Sequence, residues 1–236
     1  ALDVGDEALL LTRAAPTWMA KDRAAAAESA EKAGADLILM DDGHQNFSLA
    51  KDYALVVIDG AWGFGSGRIM PAGPLREPIA EGLARANAVI LLAGGGHLET
   101  TNWRKPVKQS GLPVIRASLE TGIDAEQFAG QKVVAFAGIG RPEKFFATLE
   151  NMKCNIVERR AFADHHTYTP DEIMKLVELA AINEARPVTT SKDFARLPAE
   201  ARAMVSEIPV GLIFENSRTL NDVFAGLLKQ TTRHNA

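Results

Sequence analysis

The chain of 236 residues has one cysteine, no excess of positive charge and no long hydrophobic run. The single cysteine, Cys154, excludes an internal disulfide and is typical of a protein in a reducing compartment. With 26 basic and 30 acidic residues, the chain lacks the overall positive field that attracts nucleic acid, and we expect no nucleic-acid partner. No apolar stretch approaches the roughly 18 residues of a transmembrane helix, so we expect no membrane-spanning segment.

Motifs of several enzyme classes are absent as well. There is no G-x-S-x-G, which leaves a serine hydrolase without support, and no G-x-x-x-x-G-K-[ST] phosphate-binding loop. Residues 138–140, G-I-G, follow a predicted strand but lack the third glycine of a dinucleotide-binding fingerprint. No signal peptide is recognisable. Because the chain starts at Ala1 and directly on a motif-like segment, we interpret it as a fragment without its natural amino terminus.

Strand-like and helix-like segments alternate along the chain, which is 47% hydrophobic and 24% charged. Short apolar runs predict strands over residues 37–40, 53–58, 88–92, 132–137, 155–159, 187–190 and 210–214. The patterns between them predict helices over residues 20–34, 79–86, 170–184 and 219–228, and one that ends near residue 152. Such alternation with short connections predicts an α/β fold with a doubly wound, mostly parallel sheet.

The pattern changes near Gly111, and residues 132–137 start a new β-α unit. We therefore predict a second, smaller α/β domain. The predicted division is a core at residues 1–113, a linker at 114–130, the smaller domain at 131–208, and a return strand and closing helix at 209–236 that pack on the core.

The acids that follow the predicted strand 37–40 are the most informative feature of the chain. Asp41 and Asp42 come directly after this apolar run and precede Gly43. Ligands of parallel sheets bind outside the carboxyl ends of the strands, where an Asp can hold Mg²⁺ beside transferring phosphates. An Asp after a strand is also a common turn residue, since its side chain accepts hydrogen bonds from the following backbone. This segment alone leaves both interpretations open, and Gln45 adds a neutral hydrogen-bonding group.

A glycine- and proline-rich stretch at residues 60–78 has neither helical nor strand periodicity. Loops of this length in a compact domain are more often functional than idle. Near its end, Arg76 can donate two hydrogen bonds to a phosphate, and Glu77 can supply an oxygen ligand to Mg²⁺. The alternative is a rigid surface loop that carries a solvated ion pair.

Two further segments hold candidate residues. Asp6 and Glu7 precede a predicted helix, where the Asp6 carboxylate is either a functional group or only a helix cap. Asp164, His165 and His166 follow each other further along, and histidine titrates near neutral pH. Adjacent side chains point apart on either a helix or a strand, and no other His/Cys cluster accompanies them, so a structural zinc site is not indicated.

Taken together, these segments resemble the tetraacyldisaccharide 4′-kinase family, the lipid A kinases of Gram-negative bacteria. The matching motifs are V-G-D-E (4–7), D-D-G-H-Q-N (41–46), G-F-G-S-G-R-I-M-P-A-G-P-L-R-E-P (63–78), F-A-D-H (162–165) and T-S-K-D (190–193). They occur in family order from one end of the chain to the other, so the resemblance covers essentially the whole sequence.

The resemblance implies transfer of the ATP γ-phosphate, with Mg²⁺, to the 4′-hydroxyl of a tetraacylated glucosamine disaccharide 1-phosphate. It also implies a P-loop NTPase-like core, incomplete in this chain, beside the smaller domain. Members of the family act as peripheral proteins at the cytoplasmic face of the inner membrane. The implied partners are the acylated disaccharide lipid and a membrane surface, which the family meets through an amino-terminal segment that this chain lacks.

Residue by residue, the resemblance gives Asp6 the role of catalytic base and His165 that of the histidine supporting it. Asp41 and Asp42 match an acidic pair, with Asp41 as the Walker-B-like metal ligand and Asp42 in a catalytic role, although which of them binds Mg²⁺ stays open. The remaining matches line the phosphate and metal region: Gln45 and Arg76 for phosphate, and Glu77 for Mg²⁺.

Because the phosphate-binding loop is absent from residues 1–236, we expect this polypeptide alone to be inactive. Two rival interpretations remain at this stage. One is a non-catalytic nucleotide- or sugar-binding α/β module, and the other is a P-loop kinase for a soluble sugar. The kinase interpretation depends on one spatial expectation, that the acids at positions 6, 41 and 42 converge with Arg76 on a single cleft.

Overall fold

A computed structural model describes residues 5–93, 100–122, 127–216, 218 and 220–225 of the protein. The helices are α1 (Asp6–Leu11), α2 (Arg23–Lys32), α3 (Ile79–Ala84), α4 (Arg104–Ser110), α5 (Pro142–Asn151), α6 (Pro170–Ile182), α7 (Ser191–Arg196) and α8 (Ala199–Arg202). The strands are β1 (Leu55–Asp59), β2 (Ala88–Leu92), β3 (Val114–Thr121), β4 (Lys132–Ala137), β5 (Asn155–Ala161), β6 (Arg186–Thr190), β7 (Ser206–Ile208) and β8 (Val210–Phe214).

Internal contacts divide the chain into two compact units. Unit A comprises Asp22–Glu120 and Leu212–Ala236, and unit B comprises Ala1–Lys21 and Thr121–Gly211. Two of the points at which the chain passes from one unit to the other lie within strands β3 and β8, which are neighbours in one sheet.

Unit A is built on a sheet of order β1-β2-β3-β8. Strands β1, β2 and β3 run parallel, with Val57 opposite Ile90 and Ile90 opposite Ile115. Strand β2 is the most buried of them, as expected for a strand between two parallel neighbours. One cluster of buried side chains from the sheet and from α3 and α4 forms the core: Ile58, Leu83, Val89, Leu91, Trp103 and Val107.

Unit B is built on a parallel sheet of order β5-β4-β6-β7, and its central strand β4 is buried on both faces. Side chains alternate between the two faces of a strand. Val133, Ala135 and Ala137 accordingly pack in a cluster with α5, whereas Val134 and Phe136 pack in a second cluster with α6. All five side chains are completely buried.

The starts of two helices follow from their sequences. Asp22 caps α2 by accepting hydrogen bonds from the amides of Ala24 and Ala25. Thr169 and Glu172 form a reciprocal capping box at the start of α6, with Pro170 in its first turn. Both helices lie inside the ranges predicted from the sequence.

The predicted α/β class with parallel sheets is confirmed. Strands β2, β4 and β8 have the bounds predicted from their apolar runs, and the other predicted strands agree to within a few residues, with one exception. Of the predicted helix 219–228, residues 220–225 are described and are helical. Residues 219 and 226–228 lie outside the described residues.

The exception is residues 37–40, which were expected to form a buried strand and do not. Leu37, Ile38 and Leu39 are exposed, and Leu39 exposes 82% of its surface. The segment pairs with none of the described strands, and β1 pairs only with β2 in the part of the chain that the structure describes. An apolar run becomes a strand only where a neighbour supplies a hydrogen-bonding edge, and the run itself does not encode that neighbour.

The predicted domain boundaries stay a prediction, and the division by contacts differs from them in two places. Residues 1–21 group with unit B, where Glu7 pairs with Lys192 and Arg13 pairs with Glu207. Residues 114–121, expected to begin a linker, form strand β3 in the sheet of unit A. None of the helices in the described part of the chain has the length and apolar character that crossing a bilayer requires.

Candidate active site

Among the candidate acids of unit A, Glu77 is the one whose two carboxylate oxygens both accept side-chain hydrogen bonds. Its Oε2 accepts a hydrogen bond from Nη2 of Arg85 at 2.6 Å, and its Oε1 accepts one from Nε2 of Gln45 at 2.8 Å. The Arg85 guanidinium lowers the pKa of the Glu77 carboxyl below its ordinary value, and the Gln45 amide acts in the same direction. Glu77 is therefore an anion with a fixed orientation, as an oxygen ligand for a hard cation must be.

Asp42 and Arg76 form a second pair. Nη2 of Arg76 lies 3.6 Å from Oδ1 of Asp42, and both side chains are mostly exposed, at 61% and 78%. Asp42 has a φ of 47°, in the left-handed region that Asp tolerates better than most residues, so the chain turns sharply just after Asp41. Asp41 is exposed. The predicted neighbours Asp41, Asp42 and Arg76 thus present charged groups to solvent.

The glycine-rich loop before Arg76 is held in place by Asn102. Nδ2 of Asn102 donates to the carbonyl oxygens of Trp62 and Gly65, at 3.2 and 2.8 Å, and its Oδ1 accepts from the amide of Phe64 at 3.2 Å. Gly73 lies so close to the Arg68 carbonyl that an added Cβ would be 2.4 Å from the oxygen. The loop therefore requires glycine at this position.

A cavity of about 150 Å³ lies beside the Glu77 cluster and is lined by His44, Phe47, Lys51, Ala54 and Arg85. Nε2 of His44 donates to the carbonyl oxygen of Gly82 at 3.0 Å, and the Arg85 guanidinium lies 5.1 Å from the centre of the Phe47 ring. Nδ1 of His44 and Nε of Arg85 are buried with no hydrogen-bonding partner. The wall of the cavity is thus basic and aromatic.

In unit B, helix α1 starts at Asp6, after Gly5 with a φ of 76°. The side chain of Asp6 and the whole of Val4 lie outside the described residues. The next residue, Glu7, pairs with Nζ of Lys192 at 2.6 Å, which joins α1 to α7. The start of α1 is thereby fixed against the T-S-K-D segment.

His165 is exposed and has a φ of 59°. Its backbone N–H donates to the carbonyl oxygen of Gly138 at 3.0 Å and to Oδ1 of Asp164 at 3.0 Å. Nη2 of Arg196 lies 3.4 Å from its Nδ1.

The neighbouring His166 has a different environment, 3.1 Å from Oε2 of Glu172, whose pKa is lowered chiefly by the Thr169 backbone N–H. The two histidines therefore have separate partners. Within the described ranges no group of three or more His, Cys, Asp or Glu side chains is placed to hold a metal.

The structure places the predicted residues in both units. Gln45 with Glu77 and Asp42 with Arg76 are contacts within unit A. Asp6 and His165 both belong to unit B, although the sequence placed them in different domains. The expected convergence of Asp6 with the acids of unit A stays a prediction.

In unit A the sequence analysis missed two residues of the site, Arg85 and Asn102. Arg85 was detectable in principle, because it follows Glu77 by eight positions and Glu81 by four, the spacing of one helical face. Asn102 gives no such signal. It reaches the loop from about forty positions further along the chain, and no local pattern connects the two.

Comparison with known proteins identifies the family of the chain. Residues 1–229 match the family model for tetraacyldisaccharide-1-P 4′-kinase. A tetraacyldisaccharide 4′-kinase of Rhodospirillum centenum is 48% identical over 235 residues, covering 99% of this chain and 68% of the relative. The corresponding protein of Rhodospirillum rubrum is 52% identical over 214 residues, covering 90% of this chain and 64% of the relative. The chain thus spans about two thirds of the length of these relatives.

A solved structure is also similar, that of LpxK from Aquifex aeolicus in complex with ATP. It has a TM-score of 0.54 and 22% sequence identity, covering 78% of this chain and 55% of that chain. At this identity the likeness establishes the fold. Since the family model covers nearly the whole sequence, the chain belongs to the tetraacyldisaccharide-1-P 4′-kinase family.

Proposed function

We propose that the protein transfers the γ-phosphate of ATP to the 4′-hydroxyl of a tetraacylated glucosamine disaccharide 1-phosphate, a step of lipid A biosynthesis. The observation that carries this proposal is the 48% identity, over 99% of the chain, to a relative named for this activity. The similar Aquifex LpxK was crystallised with ATP, which supports ATP as the phosphate donor.

The donor set of unit A fits Mg²⁺ in the form that kinases use. Mg²⁺ in such sites is bound through one or two carboxylates, and the phosphates of the substrate complete its coordination. Glu77 is held as an anion, and each of its oxygens keeps a lone pair beyond the one that accepts from Arg85 or Gln45. We assign Glu77 and Asp41 as the ligands. Bound Mg²⁺ would neutralise charge that develops on the transferring phosphoryl group.

Arg76 and Gln45 are assigned to the phosphates. An arginine can donate two parallel hydrogen bonds to phosphate oxygens, and the Arg76 guanidinium is exposed, with one exposed carboxylate beside it at 3.6 Å. Asp42 thereby orients Arg76 before the nucleotide arrives. Phosphoryl transfer asks the protein mainly for positioning and charge neutralisation, which these groups provide.

Asp6 is assigned as the base that accepts the proton of the sugar hydroxyl, and His165 as the group that supports it. An unshifted Asp, with a pKa of about 4, is a weak base for a sugar hydroxyl at neutral pH. A histidine that donates its ring N–H to the Asp6 carboxylate would fix the orientation of this base toward the hydroxyl. That both residues lie in unit B supports the pairing.

The acyl chains of the substrate reside in a membrane, so the enzyme has to meet a bilayer surface. We propose a peripheral association at the cytoplasmic face of the inner membrane, where ATP is available. This location and the lipid partner depend on the proposed activity.

The test is a phosphotransfer assay with labelled ATP, Mg²⁺ and a tetraacylated disaccharide 1-phosphate in detergent micelles. Protein expressed from the complete gene is expected to form the 4′-phosphorylated product. Residues 1–236 alone are expected to form none, because they contain no G-x-x-x-x-G-K-[ST]. Phosphorylation of free glucosamine in place of the acylated disaccharide would support the soluble-sugar rival. Nucleotide binding without transfer by the complete protein would support a binding module.

A further inference from the structure

Asp193, in the T-S-K-D segment, is a completely buried acid that the proposed reaction does not use. Its Oδ1 accepts hydrogen bonds from the amide of Gly138 at 3.0 Å and the hydroxyl of Tyr168 at 2.8 Å. Its Oδ2 accepts from the hydroxyl of Thr190 at 2.7 Å. Buried carboxylates are rare unless they are paired with a cation, and here the cation is Arg196.

Arg196 connects this buried acid to His165. Its side chain is only 7% exposed, and Nη1 donates to Oδ1 of Asp193 at 3.2 Å and to the carbonyl oxygen of Gly138 at 2.7 Å. The other terminal nitrogen, Nη2, lies 3.4 Å from Nδ1 of His165. A single planar guanidinium thus contacts Asp193, Gly138 and His165.

The chemistry of the guanidinium determines what it can do to the imidazole. Arginine carries five N–H donors and no acceptor, so a hydrogen bond from Nη2 requires a lone pair on Nδ1 of His165. The ring proton is then on Nε2, which lies 3.9 Å from Oδ1 of Asp164. The contact selects one tautomer and one orientation of the ring, and it leaves Nε2 as the nitrogen turned away from Arg196.

The backbone of His165 depends on the same group. A φ of 59° is unfavourable for a residue other than glycine and has to be held by its surroundings. The carbonyl oxygen of Gly138 accepts from both the His165 amide, at 3.0 Å, and Arg196. An added Cβ at Gly138 would lie 3.0 Å from the Tyr168 hydroxyl and 3.1 Å from the Ala163 carbonyl. The first glycine of G-I-G therefore permits this close approach.

We propose that Asp193 and Arg196 are positioning residues, which hold His165 in the tautomer and orientation that the phosphotransfer needs. The inference rests on the proposed function, in which His165 supports Asp6. This role gives the T-S-K-D and G-I-G segments a shared function, the positioning of His165. Asp193 fixes Arg196, and Arg196 with Gly138 fixes both the ring and the backbone of His165.

The competing explanation is that Asp193 and Arg196 only stabilise unit B. Removing one partner of a buried ion pair destabilises a protein strongly, so Arg196→Ala would not separate the two explanations. Arg196→Lys keeps a charge for Asp193 but cannot reach three partners with a planar fork. The double variant Asp193→Asn with Arg196→Gln leaves no uncompensated charge. Arg160→Lys, on an exposed arginine that pairs with Glu158, is the matched control.

Each variant is made in protein from the complete gene, once with His165 and once together with His165→Gln. Phosphotransfer kinetics and thermal unfolding are measured for every protein. With His165 present, Arg196→Lys and the double variant are expected to lower kcat on the order of 10- to 100-fold, the effect of misplacing a reacting group, with KM little changed. In the His165→Gln background they are expected to have no further effect, and Arg160→Lys none in either. An equal loss in both backgrounds, or an unchanged kcat in the folded variants, would overturn the proposal.

A spectroscopic measurement separates this inference from the proposed function. In ¹⁵N-histidine-labelled protein, the Nδ1 resonance of His165 is assigned with His165→Gln, at a pH where the ring is neutral. It is expected to be that of an unprotonated nitrogen and to move in Arg196→Lys but not in Arg160→Lys. A protonated Nδ1, or an Nδ1 resonance that does not change in Arg196→Lys, would contradict the positioning role even if the protein is an active kinase. If the Nδ1 resonance moves as expected but the protein has no kinase activity, the contact between Arg196 and His165 is supported and the proposed function is rejected.

Discussion

His165 in unit B and Arg76 in unit A are both exposed side chains, yet the two units hold them differently. His165 contacts Arg196, which is almost completely buried and is fixed by the fully buried Asp193. Arg76 contacts Asp42, which is itself exposed at 78%. The proposed proton-handling group is therefore supported from the core, whereas the proposed phosphate-binding group is supported at the surface.

The difference fits the two tasks. Proton transfer needs a defined tautomer and a hydrogen-bonding geometry that tolerates little displacement, and a buried network supplies both. Phosphate capture needs donors that meet a charged ligand arriving from solvent, and an exposed arginine does this at a smaller desolvation cost. Among the candidate residues that the structure describes in unit A, Glu77 has fixed partners in Arg85 and Gln45.

The largest expected effect concerns the division of roles between the units. Asp6→Asn is expected to lower kcat about 10²- to 10⁴-fold, the usual contribution of a general base, and to leave the KM for ATP nearly unchanged. Arg76→Met is expected to raise the KM for ATP roughly tenfold, since it removes a charged hydrogen bond to phosphate. Steady-state kinetics of protein from the complete gene measures both.

An effect of Asp6→Asn on the KM for ATP, with an effect of Arg76→Met on kcat, would mean that the proposed roles of the two units are reversed. If Asp6→Asn changed mainly the KM for ATP, or left turnover within a few-fold of the parent, Asp6 would not be the base. Lys21→Met, at an exposed position between α1 and α2, is the control for a lost charge and should leave both constants unchanged.

The second prediction compares the packing of the two units. Phe136 is completely buried, with its ring against Phe162 and Tyr168, so Phe136→Ala is expected to destabilise unit B by about 3–5 kcal/mol. Phe47 of unit A is 73% exposed, and Phe47→Ala should change stability by about 1 kcal/mol or less, because it loses mainly the contact with the Arg85 guanidinium. Hydrogen exchange of peptides from β4 and from β2 measures each unit separately. Equal loss of protection in β4 and β2 after Phe136→Ala would mean that the units unfold together.

The accuracy of the predictions made from the sequence also differs between the units. In unit B the predicted strands and the α6 helix agree with the structure. Strand β4 is the clearest case, because its apolar run 133–137 is completely buried. In unit A the run 37–40 was assigned to a strand, but its side chains are exposed and unpaired with any described strand. The local pattern of apolar residues indicates a tendency to be buried. Whether the segment pairs in a sheet depends on which strand lies beside it.

The candidate site shows the same limit. Gln45, Arg76 and Glu77 were found because they stand in motifs, but the partners that hold them were not predicted. Arg196 was not found, although it lies three positions after Asp193, because its importance comes from reaching His165 across 31 positions. Contacts between distant segments are decided by the fold, and single-sequence reasoning has no access to them without a family resemblance.

The third prediction tests whether Glu77 is held as an anion in unit A. Glu77→Gln removes the charged contact with Arg85 and is expected to destabilise unit A by about 1 kcal/mol at pH 7, a modest value because the pair is partly exposed. The folded-state pKa of Glu77 is lowered, so this stabilisation is complete above the unfolded value of 4.5 and is lost as the pH falls through the folded-state pKa.

Urea denaturation at pH 7 and at pH 3 therefore distinguishes the parent from Glu77→Gln. The difference in the free energy of unfolding should be present at pH 7 and become smaller at pH 3. Glu81→Gln, on an exposed acid one helical turn before Arg85, is the control and should show little difference at either pH. A difference that grew on acidification would mean that the carboxyl is not held as an anion.

The smallest expected effect concerns residues 37–40. Leu39→Ser in residues 1–236 is expected to change the free energy of unfolding by less than about 0.5 kcal/mol, because the side chain is 82% exposed. The same measurement on Leu91→Ala, a completely buried leucine of β2, is expected to give a loss of about 2–5 kcal/mol. If Leu39→Ser were as costly as Leu91→Ala, the segment would be a packed strand after all. Unit A would then present Asp41 and Asp42 from the end of a buried strand, with the same support from the core that His165 has in unit B.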